Sequence, residues 1–209
     1  MQLEYEDLYV GKVKEIFFEE TGIKPSFNID IYHSKDYIDK SDAYGFNGTI
    51  IHFYDEKLGI NQAYTITRGS EFPEKDTWRP KDWAYNLMGI FVGSDASQYH
   101  TAINFDNQVT ELILDKTNDE IELKKFGLGH SLGGNLNTIV QLTTQRYDFV
   151  YTTNPAPPTF YQLFMIDFNF SEEVADKFNI NSKNKISIYH LDPSALKEFA
   201  EEYYKDRGK

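Results

Sequence analysis

The sequence predicts one α/β domain built on a mainly parallel sheet with helices on both faces. Three observations carry this. The chain has 209 residues, enough for a single domain with a sizeable core. Strand-like and helix-like segments alternate along it. A strand-like segment at 121–126 runs into a glycine-rich turn and then a helix-like segment, the unit around which the rest is organised.

Each element has its own signal. Residues 5–20 read as a helix, with Leu8, Val13, Ile16 and Phe17 near one face, stopped by Gly22 and Pro25. Residues 27–32 read as a short strand, and 33–45 are polar and irregular. Residues 49–54 and 63–67 read as neighbouring strands joined by a turn around 58–61. Residues 73–79 form a loop, and 81–91 a candidate helix. Ile103, Val109, Leu112 and Ile113 mark a longer helix over 98–116. After the strand at 121–126, Leu136, Ile139, Val140 and Leu142 mark the next helix. Residues 149–153 form another strand, ended by Pro155, Pro157 and Pro158. Short helices follow at 159–167 and 172–178. A last strand is expected at 185–189 and a last helix at 194–204. No repeat or low-complexity linker interrupts residues 1–209.

Composition narrows the function. The formal net charge of −12, from 33 acidic and 21 basic residues, opposes bulk electrostatic binding to nucleic acid or anionic lipid headgroups. There is no cysteine, so thiolate chemistry and disulfides are excluded. The N-terminus lacks a secretory-signal pattern, and no apolar run is long enough to span a bilayer. The location expected is the bacterial cytoplasm, or outside the cell without a classical signal peptide. Aromatics are abundant, with 15 Tyr and 16 Phe. Most are expected in the core.

The chemistry-bearing motif is Gly129-His130-Ser131-Leu132-Gly133, a G-x-S-x-G pattern between a strand and a helix. A serine there sits on a tight turn that lifts its hydroxyl above the sheet. The flanking glycines leave room for close helix–sheet contact. Ser131 is the candidate nucleophile, and the backbone N–H of Leu132 is the first candidate oxyanion donor. The plainer alternative is a glycine-rich connection holding an ordinary serine. His130 is expected to pack beneath the turn rather than act as the base. Asp192 lies 61 residues beyond Ser131, after the expected last strand. It is the candidate acid that would orient a histidine. Its competing role is a helix N-cap, because Pro193 and a helix follow. Asp148 and Asp167 are the alternative acids. Ser70, in the turn Arg68-Gly69-Ser70, is the candidate second oxyanion group, and an Arg68–Asp82 ion pair is a candidate brace for that loop. Residues 84–100, with Leu87, Met88, Ile90, Phe91 and Val92, form either an acyl groove or lid, or an ordinary packed helix.

These blocks resemble the class 3 (fungal-type) lipases of the α/β-hydrolase fold, in their bacterial lipase-like branch. The matching residues are Thr67-Arg68-Gly69-Ser70 with Asp82-Trp83, Tyr99-His100, Gly129 to Gly134, Tyr151 to Pro155, and Tyr189 to Pro193. They cover roughly residues 60–195. A more remote likeness is to lipase domains of effectors exported by Gram-positive type VII systems. The resemblance implies an α/β-hydrolase-type sheet, Ser131 as nucleophile, Asp192 as acid, Ser70 in the oxyanion hole, His100 as a packing residue, no metal or organic cofactor, and a lipid ester substrate. The chain departs from that family in one respect. The family places its histidine well after the aspartate, yet only 17 residues follow Asp192 here and none is a histidine. Three explanations stay open. The domain is incomplete at its C-terminus, and a C-terminal segment or second chain completes it. An earlier histidine, His190 foremost, takes the role. Or hydrolysis has been lost, leaving an interaction domain. An acyltransferase would share the same acyl-enzyme.

Overall fold

The computed structural model describes residues 8–39, 46–68, 97–117 and 120–207. The chain enters with helix α1 (Val10–Thr21), which ends where Gly22 adopts the left-handed φ of 70°. Strand β1 (Asn28–His33) leads through a 3-10 turn to β2 (Gly48–Asp55) and β3 (Ile60–Thr67). Helix α2 (Ser97–Lys116) precedes β4 (Lys124–His130), α3 (Leu132–Thr144) and β5 (Phe149–Thr153). Three helices close the chain: α4 (Phe160–Ile166), α5 (Phe168–Phe178) and α6 (Pro193–Tyr204).

The strands form one sheet in the order β1-β2-β3-β4-β5. β1–β2 and β2–β3 are antiparallel, whereas β3–β4 and β4–β5 are parallel. This corrects the expectation of a mainly parallel, α/β-hydrolase-type sheet: among the described residues the pairings are half antiparallel. The reason is the connection between β2 and β3. Residues 56–59 are too few for a crossover, so these strands must run antiparallel. Asp55 shapes the turn by accepting from the N–H groups of Lys57 and Leu58 at 3.0 and 3.1 Å. The parallel half begins only where α2 and then α3 carry the chain back.

The expected strand at 185–189 is also corrected. Residues Ser187–His190 form a 3-10 turn. Local polar bonds outcompete a strand there. The Ser187 hydroxyl donates to the carbonyls of Asn181 and Asn184 at 3.0 and 2.6 Å, and the Asn184 side chain accepts from Ile186 N–H at 3.3 Å. Ile188 is fully buried beneath this turn. The other differences are small. β4 starts three residues later than expected and runs through Gly127 and Gly129. The candidate helix at 81–91 lies outside the described residues.

One face of the sheet carries the main core, where Phe105, Val109, Ile139, Val140, Phe164, Phe170 and Leu196 from the helices meet Ile50 and Ala63. On the other face, Leu8 and Val13 of the N-terminal segment pack on Ile29, Ile51 and Ile66. Among the described residues a charged cluster is buried beside the main core. Asp106 of α2 is fully buried and pairs with Lys125 of β4 and with Arg146, the latter at 2.7 Å. Lys125 also donates to Thr110 at 2.8 Å. Burial lowers the Lys125 ammonium pKa from its ordinary value, opposed by Asp106. No described helix is long and apolar enough to cross a membrane.

Candidate functional site

The C-terminal ends of β3, β4 and β5 lie side by side, because those strands are parallel. Ligands of such sheets collect at this edge. Ser131 sits there, between the last residue of β4 and the first of α3. Its backbone has φ 53° and ψ −119°. That lies outside the ordinary left-handed helical well and is a high-energy conformation for a residue with a Cβ.

The neighbours enforce this geometry. A Cβ on Gly129 would come within 2.5 Å of the Gly133 carbonyl carbon. A Cβ on Gly133 would fall on the Thr67 carbonyl oxygen. The two glycines of the motif therefore let α3 lie directly against β4 and the end of β3. Three backbone bonds fix the turn. Ser131 N–H donates to Thr153 at 3.1 Å, and its carbonyl accepts from Asn135 N–H at 3.1 Å and Ala156 N–H at 3.3 Å.

Buried polar side chains hold the surroundings. Asn137 accepts from the Thr67 hydroxyl at 2.7 Å and donates to the Leu128 carbonyl at 2.8 Å, linking α3 to β3 and β4. Asn135 donates to the Ala156 carbonyl at 3.0 Å and pairs with the Gln162 amide. Gln162 in turn closes the capping box of α4 with Thr159. These supports were missed in the sequence. The available signal was a pair of asparagines on the apolar stretch that follows Ser131.

Leu132 opens α3, where a backbone N–H has no partner inside its own helix. The macrodipole of a 13-residue helix adds positive potential there. Both Ser70 and Asp82 lie outside the described residues, as do 84–96 of the expected groove or lid. Arg68 continues β3 and donates its N–H to the Asn47 carbonyl at 2.9 Å.

The structure places Asp192 as the N-cap of α6, exposed, with its carboxylate accepting from Ala195 N–H at 2.9 Å. Asp148 is at the opposite end of β4 from Ser131, accepting from Lys125 N–H at 2.8 Å. Asp167 caps α5 and accepts from the Tyr204 hydroxyl at 2.8 Å.

The five histidines are dispersed. His33 lies 3.1 Å from the Thr49 hydroxyl and 2.8 Å from the Leu8 carbonyl. His52 is buried against Asn61 at 2.9 Å. His100 is exposed on α2, in ring contact with Tyr99, and His190 is exposed on the 3-10 turn. His130 is half-buried beside Thr153. Among the described hydrogen bonds, none joins a histidine to the Ser131 hydroxyl or to Asp192. Among the described residues, no group of three or more His, Asp or Glu could hold a metal ion.

The chain belongs to the family described as "Domain of unknown function (DUF6792)", whose model matches residues 1–209. It is 33% identical over 209 residues to the putative uncharacterized protein YvcB of Bacillus subtilis (strain 168), covering 96% of this chain and 31% of that protein. The chain thus spans under a third of that relative's length. No solved structure matches.

Proposed function

Starting from a member of a family without assigned function, we propose that it is a serine ester hydrolase acting on lipid carboxylic esters through an acyl-enzyme on Ser131. The observation that carries this reading is the backbone of Ser131, held at φ 53° and ψ −119° between a parallel strand and a helix. A packing residue gains nothing from that conformation, whereas a nucleophile gains exposure beside unpaired helix N–H groups. The lipid preference rests on the resemblance to class 3 lipases, and a type VII exported effector is the corresponding setting.

In the proposed reaction a general base takes the Ser131 hydroxyl proton as Oγ bonds to the ester carbonyl carbon. The Leu132 N–H, with Ser70, receives the charge that develops on the carbonyl oxygen. The ester C–O bond breaks, the alcohol leaves with the proton, and water releases the acid from Ser131. Asp192 orients the base. In this reading the base comes from a segment other than residues 1–209: His33 and His52 are hydrogen-bonded elsewhere, and His100 and His190 are exposed on α2 and on the 3-10 turn.

Chemical rescue tests this. The folded chain is mixed with p-nitrophenyl esters over a range of imidazole concentrations, beside Ser131→Ala. Imidazole-dependent turnover lost in Ser131→Ala supports the proposal. Ser131-dependent turnover without imidazole keeps the hydrolase but moves the base inside the chain. No Ser131-dependent turnover under either condition, from a folded chain, overturns the proposal and leaves a binding domain.

A further inference from the structure

β5 borders the sheet. It pairs with β4 on one side, and among the described residues no strand pairs with the other. Edges are usually blunted by charge, proline or a bulge. The five residues Phe149–Thr153 contain no charge, proline or glycine. Thr153 turns its carbonyl toward β4, where it accepts from Ser131. Backbone direction alternates along a strand, so Val150 and Thr152 turn their N–H and C=O groups outward. The side chains alternate too. Val150 faces the main core, while Phe149 and Tyr151 stand on the opposite face, 52% and 58% exposed.

Those two rings end a run of aromatic contacts that crosses the sheet. Phe27, Phe53, Tyr64, Phe126, Phe149 and Tyr151 touch in sequence, at centroid distances between 4.8 and 6.3 Å. Over β1 to β3 this face is packed by the N-terminal segment. Over β5 it is open.

We propose that a second copy of this chain occupies the edge, with β5 pairing antiparallel to the partner's β5 about a two-fold axis at Tyr151. The register follows from the backbone. Val150 then lies opposite the partner's Thr152, and Thr152 opposite the partner's Val150. Both are outward-facing residues, so each pair exchanges two hydrogen bonds, four in all by this geometry. Tyr151 meets the partner's Tyr151 at a site without backbone bonds, where side chains approach most closely. Phe149 meets the partner's Thr153, an aromatic–β-branched pair of the kind that stabilises antiparallel strands. No like charges face each other within the strand. Asp148, already bonded to Lys125 and paired with Lys124, falls opposite the partner's Asn154. A strand that complements itself in this way needs no other partner, and the joined sheets carry the aromatic run across the axis.

The charge of −12 on each copy makes a specific demand. Like-charged copies repel, so salt must strengthen the pairing. A basic partner on the same edge would do the reverse.

Sedimentation velocity on the chain tests this from low to high micromolar concentration, at low and high salt. The expected result is a monomer–dimer equilibrium that shifts toward dimer with salt. Tyr151→Glu places two charges face to face on an exposed position. Thr152→Pro removes an outward N–H. Each is expected to give monomer throughout, with the far-UV circular dichroism of the parent. A wild-type chain that stays monomeric at high salt and high micromolar concentration overturns the proposal. So does a dimer that either folded variant leaves intact.

Discussion

Strain at Ser131 can be separated from the chemistry of its hydroxyl by comparing Ser131→Gly with Ser131→Ala. Both lose the hydroxyl, so its contribution cancels. Alanine keeps a Cβ at φ 53° and ψ −119°, and glycine does not. Such a conformation costs a non-glycine residue roughly 1–3 kcal/mol. Glycine gives back about 0.5–1 kcal/mol through the greater entropy of its unfolded chain. The difference leaves Ser131→Gly more stable than Ser131→Ala by about 1 kcal/mol. For a chain of this size that is roughly 2–4 °C in Tm. Urea unfolding followed by circular dichroism and by tryptophan emission gives the comparison, with coincident transitions as the check on two-state behaviour. The exposed α2 position Glu111 is the control. There glycine is expected to be less stable than alanine by about 1 kcal/mol. The same sign at Ser131 as at Glu111 would refute the strain, and with it the observation on which the proposed function rests.

Asp106→Ala leaves Lys125 and Arg146 charged and without their shared carboxylate, and is expected to destabilise by about 3–5 kcal/mol in urea. Burial, against weaker opposition from the Asn61 bond and Asp30, lowers the His52 pKa below its ordinary 6.5. The unfolded chain therefore takes up a proton first as pH falls. This residue's contribution is present above about 6.5 and is lost from there down to the folded pKa, at up to roughly 1.4 kcal/mol per pH unit. His52→Gln should flatten that part of the stability–pH curve; an unchanged slope would count against a neutral buried imidazole. Tyr204→Phe removes the hydroxyl that donates to buried Asp167 and is expected to cost about 2 kcal/mol, read as a lower urea midpoint. Asp192→Asn keeps an N-cap of similar strength but removes the charge, whereas Asp192→Ala removes both. Under the proposed mechanism both lower imidazole-rescued turnover, and Asp192→Ala alone loses about 1 kcal/mol of stability.

Much of the element order was legible because periodicity and breakers report local preference. Gly22 and the prolines after Thr153 each stop an element where expected, and the turn expected around 58–61 falls at 56–59. Sheet direction was misjudged for an identifiable reason. Two strands joined by a four-residue turn can only be antiparallel, and that turn was visible in the sequence, but counting alternating segments gave it no weight. The segment at 185–189 failed differently. Ile186 and Ile188 have strand character, yet Asn181, Asn184 and Ser187 offer the backbone closer partners. At the site, the G-x-S-x-G spacing was legible because both glycines face backbone atoms at contact distance. The Asn137 and Asn135 bridges were not, because their partners Thr67 and Gln162 are far away along the chain.

The proposed nucleophile and its proposed acid are held by unlike kinds of structure, which bears on how the proposed site would work. Ser131 is over-determined. Two glycine contacts, three backbone bonds and two buried amide bridges hold it in a conformation it would otherwise leave. That rigidity suits a group that must meet a carbonyl carbon and an oxyanion donor in a fixed relation. Asp192 is exposed, and its described bond goes to the first turn of α6. A carboxylate has further acceptor capacity, so a histidine arriving from another segment could take a second bond without undoing the cap. Under the proposed mechanism, a segment bringing the base would meet a Ser131 turn that is already rigid, and activity would depend on assembly more than on any rearrangement of that turn.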